Sequence, residues 1–260
     1  PRDHSMNHEG SVGRLRTWVG RVYYGWRLVP VAGLIMLISS TPMFHGMGLW
    51  FVAMESSFGW SRTQLSLAFA FTRIEGGILG PIEGYLVDRL GTRRLVLIGL
   101  TIMGTGWLLF SQIRFLWMFY LAYVVIALGT GLGSWLPLTT MLNNWFNRHR
   151  ASAMGWSSAT SRLGTLLLLP AIAWAIDPEF DHLGWELTTA LLGIAGLLLA
   201  VPLSRMIRNS PEEYGMLPDG DTPDEAERHE AARRSGGSTT ATVQVDFTVR
   251  QAIRTPAFWL

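Results

Sequence analysis

The chain has 260 residues, of which 49% are hydrophobic, only 15% are charged and none is cysteine. Soluble domains carry about 25% charged residues, so the deficit points to a membrane, and the lack of cysteine excludes disulfides and cysteine-ligated metal sites. A net charge of +2, with the arginines spread over short loops, is not the footprint of a nucleic-acid surface.

Residues 1–25 read as a solvated tail. Pro1 to Gly20 lacks an apolar stretch followed by a small-residue cleavage site, so it is not a signal peptide. The first apolar run spans Trp26 to Met54 and contains Pro30 and Pro42. It is long enough to cross a bilayer, which takes roughly 20 residues. Ser61 is placed to cap a second helix from Ser61 to Val87. Gly84-Tyr-Leu-Val-Asp88-Arg89-Leu-Gly91-Thr-Arg93-Arg94 follows. It packs too much charge to sit inside hydrocarbon, so it is a polar hinge between two spans. The third span is Arg94 to Phe110, the fourth Phe115 to Met141, the fifth Ala151 to Ile176 and the sixth Trp185 to Leu203. Asn143 to Arg150 is a basic loop, and Asp177 to Gly184 an acidic one.

The expected fold class is therefore an all-α membrane protein, a six-helix transmembrane bundle over residues 26–208. Arg14, Arg16, Arg21, Arg27, Arg89, Arg93, Arg94, Arg148, Arg150, Arg205 and Arg208 fall on one side, and Arg62 and Arg114 on the other. The basic side is expected to be cytoplasmic. Residues 209–246 turn polar and read as a partly disordered cytoplasmic linker. An amphipathic pattern from Phe247 to Leu260 looks like the entry to a seventh span, which would make the chain the first half of a longer protein. Gly46-Met-Gly48-Leu-Trp50 and Gly131-Leu-Gly133-Ser-Trp135 form a faint repeat at the opening helices of two three-helix groups. Trp50 and Trp135 themselves are expected to be packing or interface residues rather than substrate platforms.

The hinge pattern G-x-x-x-D-R-x-G-x-R-R resembles the signature between the second and third helices of the major facilitator superfamily of secondary transporters. Phe58-Gly-Trp-Ser-Arg-Thr63, Trp145-Phe-Asn-Arg-His-Arg-Ala-Ser-Ala-Met-Gly155 and Pro211-Glu-Glu-Tyr-Gly215-Met-Leu-Pro218-Asp-Gly resemble its monocarboxylate and oxalate/formate branch. The resemblance covers Trp26 to Gly220. Thr92 departs from it, standing where many members carry a basic residue. The fourth helix lacks the buried arginine of proton-coupled drug exporters, and Leu167 to Pro170 replaces the Gly-Pro pattern of such antiporters. Drug export is therefore disfavoured.

A charged group at the centre of a spanning helix costs roughly 2.5–3.5 kcal/mol on insertion scales, so each one invites a functional explanation. Arg73 and Glu75 lie some 200° apart on the second helix at about 100° per residue. Gly76, Gly77, Gly80 and Gly84 share the Arg73 side, where they would let another helix approach in a tight seam. Arg162 follows Ser157, Ser158, Thr160 and Ser161 in the fifth helix, and its planar fork matches a carboxylate. Arg162 and Arg73 are the substrate candidates. Glu75 and His45 are the coupling-proton candidates. For each the alternative is structural: an ion pair such as Arg162 with Glu75, or a neutral hydrogen-bonded histidine. Glu83 is expected to pair with the hinge arginines.

The resemblance implies alternating access by two six-helix bundles around a small organic anion, by symport or antiport. A proton would be the coupling ion. Gly84, Asp88, Arg89, Gly91, Arg93 and Arg94 would form the gate, with Asp88 facing the missing carboxy-terminal bundle. The expected location is the inner (plasma) membrane. No cofactor, metal ligand set or catalytic motif is apparent, so an enzyme is not expected. The rivals are a carrier of a neutral or cationic solute and a non-transporting membrane sensor or scaffold.

Overall fold

The structure is a computed structural model that describes residues 23–177, 183–225 and 227–228, without the side chains of Ile74, Glu75 and Ile78. Among the described residues every regular element is helical. The expected tail before Tyr23 and the expected seventh span at 247–260 lie outside the described residues.

Helix α1 runs Tyr24–Ser40 and leads into a π-turn at Thr41–His45. Pro42 lacks an N–H, and the turn closes by a bond from the Gly46 N–H to the Thr41 carbonyl at 2.8 Å, one residue wider than an α-turn. The indole N–H of Trp50 donates to the Pro42 carbonyl at 2.8 Å and holds the widened turn. Helix α2, Met47–Phe58, completes this span and stops at Gly59 in the left-handed region (φ 68°).

Helix α3 covers Arg62–Phe110. Ser61 caps it as expected. Its Oγ accepts from the Gln64 N–H at 3.3 Å, and the Gln64 side chain accepts from the Ser61 N–H at 2.9 Å. The hinge is tighter than the sequence implies. Helical geometry continues through Asp88 and Arg89 and fails only at Gly91 (φ 75°, ψ 157°), which separates two arms of α3. Helices α4 (Leu116–Gly133) and α5 (Trp135–Trp145) meet at Ser134 (φ −125°, ψ −98°). The two faint-repeat stretches thus each mark a break in their span. Helices α6 (Arg150–Ile176) and α7 (Gly184–Met206) match the fifth and sixth runs within a few residues.

The second arm of α3 packs between α4 and α7, and α1 packs on α6. Both contacts need glycine. A Cβ on Gly99 would enter the backbone of Gly133, and one on Gly33 would stand 2.7 Å from the Ser157 carbonyl. At the end away from Gly91, Trp50, Trp107, Phe110, Phe119 and Tyr123 form a buried aromatic cluster, with Trp50 and Trp107 centroids 5.4 Å apart. The Tyr123 hydroxyl donates to the Met43 carbonyl at 3.1 Å, tying α4 to the π-turn.

At the hinge end, the start of the linker is part of the fold. Residues up to Gly220 belong to the same compact unit as the helices. The Trp145 indole donates to the Arg208 carbonyl at 3.0 Å. The Tyr23 hydroxyl lies 3.1 Å from the carbonyls of both Trp145 and Leu217. Arg208 stacks over Tyr24 and Tyr214 at 3.9 and 4.0 Å. The expected solvated linker therefore begins later than Asn209. Of the second unit, 221–260, residues 223–225 and 227–228 are helical, and Glu225 accepts from the Thr222 N–H at 2.9 Å.

Five stretches are long and apolar enough to cross a membrane: Tyr24–His45, Leu79–Phe110, Leu116–Trp145, Arg150–Ile176 and Gly184–Met206. The protein is a multi-pass membrane protein by these helices.

Candidate functional site

A cavity of about 610 Å³ opens among α1, α3, α4, α5 and α6. The π-turn contributes Met43, Phe44 and His45. The first arm of α3 contributes Thr72, Arg73, Gly76, Gly77 and Glu83. Thr130, Gly131, Ser134 and Trp135 line it from α4 and the head of α5, and Ser158, Ser161, Arg162 and Thr165 from α6. The volume is in the usual range for small-molecule pockets, about 300–1,000 Å³.

The structure brings Arg73, Arg162 and His45 to this one cavity. Helical periodicity explains the α6 wall. Ser158, Ser161, Arg162 and Thr165 fall at i, i+3, i+4 and i+7 and share one face. The Thr41 and Thr165 hydroxyls meet at 2.7 Å and pin that face to α1. Arg73 sits over the Phe69 ring, its guanidinium carbon 5.3 Å from the centroid. Neither arginine forms an ion pair with a described carboxylate. The Glu75 side chain lies outside the described residues.

Two expectations need correction. Among the described residues the glycine face of α3 packs against no other helix, because a Cβ on Gly76, Gly77, Gly80 or Gly84 would meet nothing within 4 Å. Gly76 and Gly77 instead widen the cavity. Glu83 pairs with none of the hinge arginines. Arg89 is six residues on, about 240° around the helix, where it stacks on Tyr85 at 5.0 Å. Arg93 and Arg94 lie beyond the break at Gly91, and Glu83 turns into the cavity against Gly131. Of the two tryptophans of the repeat, Trp50 is fully buried, whereas Trp135 lines the cavity and is 66% exposed.

The family model for the Major Facilitator Superfamily matches residues 21–260. The chain belongs to the major facilitator superfamily. It is 27% identical over 175 residues to monocarboxylate transporter 14 of Mus musculus, covering 67% of this chain and 32% of the relative. It is 25% identical over 175 residues to the oxalate:formate antiporter of Oxalobacter formigenes, covering 67% and 41%. It is also 25% identical over 203 residues to the membrane sensor protein UhpC of Salmonella typhimurium, covering 77% and 43%. The chain therefore spans less than half the length of these relatives.

The superfamily's hinge signature lines a second, polar cavity of about 610 Å³. Asp88, Arg89, Gly91, Arg93 and Arg94 line it with Asn144, Asn209 and Glu213, while Gly84 stands outside it. Asn209 is central. Its Oδ1 accepts from the Arg93 N–H at 3.0 Å, and its amide fills the space where a Cβ on Gly91 would go. Thr92 is more than a missing charge. It is buried and donates to the Pro137 carbonyl at 3.3 Å, tying the hinge to α5.

Asp219 is a second residue that sequence reasoning missed. Its carboxylate, 3% exposed, accepts from the N–H groups of Asn147, Arg148 and His149 at 3.0, 2.7 and 3.1 Å, and from the His149 ring at 3.2 Å. These successive N–H groups form an anion nest just before the first turn of α6, at the positive end of its dipole. Burial pushes the Asp219 carboxyl up, but the three backbone donors and the His149 ring outweigh it and hold the group below its usual range. The readable signal was Pro218-Asp219-Gly220, a turn triplet with Asp219 in the left-handed region (φ 61°).

Proposed function

We propose that this protein is the amino-terminal, six-helix half of a secondary active transporter that moves a small organic anion, a monocarboxylate or a relative of one, by alternating access. The observation that carries this is the pair of guanidiniums, Arg73 from α3 and Arg162 from α6, on one cavity with no carboxylate from the described residues paired to either. Both side chains are exposed on the cavity, so their guanidinium forks are open to a substrate carboxylate, their natural partner. The Ser158 and Ser161 hydroxyls add donors beside the Arg162 fork, while the Thr165 hydroxyl is already donated to the Ser161 carbonyl at 2.9 Å. The relatives named as a monocarboxylate transporter and an oxalate:formate antiporter point to the same cargo class.

In this account the two arms of α3 are separate spans, which with the other helices makes six. A second six-helix bundle from the carboxy-terminal part of the full-length protein supplies the facing wall of the cavity. Gly84, Asp88, Arg89, Gly91, Arg93 and Arg94 gate the cytoplasmic side against that bundle, and the N-terminus and linker share that side of the plasma membrane. His45 and Glu75 stand as coupling-proton candidates, with symport and antiport both open to them.

The test is substrate-induced stabilisation of the purified full-length protein. Formate, oxalate and lactate should raise its melting temperature, and uncharged analogues should not. Stabilisation by neutral compounds alone would favour a neutral cargo, with the arginines as gate residues. A second reading is a non-transporting sensor, favoured by the similarity to a membrane sensor protein. Solute flux in proteoliposomes separates it from a carrier.

A further inference from the structure

Glu83 is a carboxylate that no part of the account has used. It lies in the first arm of α3, between Pro81 and the hinge, on a stretch apolar and long enough to cross a membrane. Its side chain lines the main cavity and forms no ion pair or hydrogen bond with a described residue. One oxygen rests against Gly131 of α4, where a Cβ would collide with it. The wall that α4 offers there has no charged group: Ala127, Thr130 and Gly131 line it, with Ser134 just beyond the helix end.

The charged and titratable groups on the same cavity are few. Arg73 is ten residues back on the same arm, about 15 Å along the helix axis. Arg162 comes from α6 and His45 from the π-turn. The α4–α5 wall provides none. Glu75 sits on the same arm as Glu83, with its side chain outside the described residues. Glu83 therefore occupies the hinge side of a cavity whose cations lie further in.

We infer that Glu83, ahead of His45 and Glu75, is the proton-binding site of this cavity, and that it takes up a proton when an anion binds at Arg73 and Arg162. The inference rests on the anion-transport reading above. The physical basis is like-charge repulsion across the shared cavity. An anion entering the cavity disfavours an ionised Glu83 and so favours its neutral acid. By linkage, protonating Glu83 strengthens anion binding by the same factor. At a separation of about 10–15 Å and an effective dielectric constant of about 20, that factor is of the order of tenfold. The proton comes from water on the side to which the cavity is open. It adds to a carboxylate oxygen, and it leaves to water on the other side after the bundles rock. A monocarboxylate and the proton then cross together with no net charge.

The experiment uses the full-length protein in proteoliposomes with radiolabelled formate, oxalate and lactate as probes. The wild type should exchange a probe carboxylate across the membrane and accumulate it under an imposed proton gradient. Glu83→Gln, which keeps the shape and removes the titration, should exchange it but lose the accumulation. Its anion affinity should no longer weaken, about tenfold in the wild type, as the medium is made alkaline. Glu83→Asp should recover part of the accumulation. Accumulation by Glu83→Gln equal to the wild type, or accumulation driven by a sodium gradient instead, overturns the inference while leaving the anion reading intact.

If none of the three probes moves, the anion reading falls and Glu83 is decided by infrared titration of the purified protein. A carboxylic C=O band that titrates in the wild type, is absent in Glu83→Gln and shifts its midpoint in Gly131→Ala upholds the site. A titration identical in all three overturns it.

Discussion

Arg162 and Trp50 show two ways in which a single side chain organises this protein. Arg162 brings a fixed charge to a face otherwise made of hydroxyls, and its planar fork is not interchangeable with an ammonium. Arg162→Lys keeps the charge and should still weaken carboxylate binding by about tenfold, the worth of one charge-assisted hydrogen bond, as read by ligand titration. Trp50 acts through its indole N–H on the Pro42 carbonyl inside the widened turn that carries Phe44 and His45. Trp50→Phe leaves that buried carbonyl without its donor. The expected loss is about 1–3 kcal/mol of stability, read as a lower melting temperature in detergent. An unchanged melting temperature would mean that the turn does not need the bond.

At the scale of elements, the hinge and the start of the linker act as one piece. Gly91 adopts a left-handed φ with Asn209 packed where a side chain would go. Gly91→Ala should therefore suffer twice, from a backbone penalty of about 1–3 kcal/mol and from displacement of Asn209. Amide hydrogen exchange should speed at Arg93, whose N–H would lose its acceptor, while the α1–α6 contact keeps its protection.

Asp219 gives this end of the protein a pH dependence with a definite sign. Its folded pKa lies below the unfolded value of about 3.9, so its stabilisation is complete above that value and is lost as the pH falls through the folded one. Asp219→Asn should lower stability by about 0.5–2 kcal/mol at neutral pH, the usual worth of a helix cap. The gap to the wild type should close in acid. A gap independent of pH would show that the carboxylate charge is not what the nest binds.

At the scale of the whole molecule, the sequence exposed what is periodic and hid what is tertiary. The apolar runs, the Ser61 cap and the break near Gly91 were legible because each follows from local composition. The convergence of Arg73, Arg162 and His45 was only half legible: each residue stood out as a charge in an apolar run, but their shared cavity depends on how α1, α3 and α6 pack. Glu83 was misassigned because counting along the chain places it near the hinge arginines, whereas the helix turns it toward α4. Thr92 and Asp219 were missed because their partners, Pro137 and the Asn147–His149 amides, lie far away in sequence. The glycines of α3 read as a packing seam because small residues serve close approach and open space equally well.

The central claim is that a small organic anion is held in this cavity by the guanidiniums of α3 and α6. Uptake of labelled formate, oxalate and lactate by the full-length protein, compared with Arg162→Ala, tests it most directly. The account predicts that Arg162→Ala reaches the membrane in normal amount and loses at least about tenfold in apparent affinity, the equivalent of roughly 1.4 kcal/mol. Retention of wild-type affinity and rate by Arg162→Ala would contradict it.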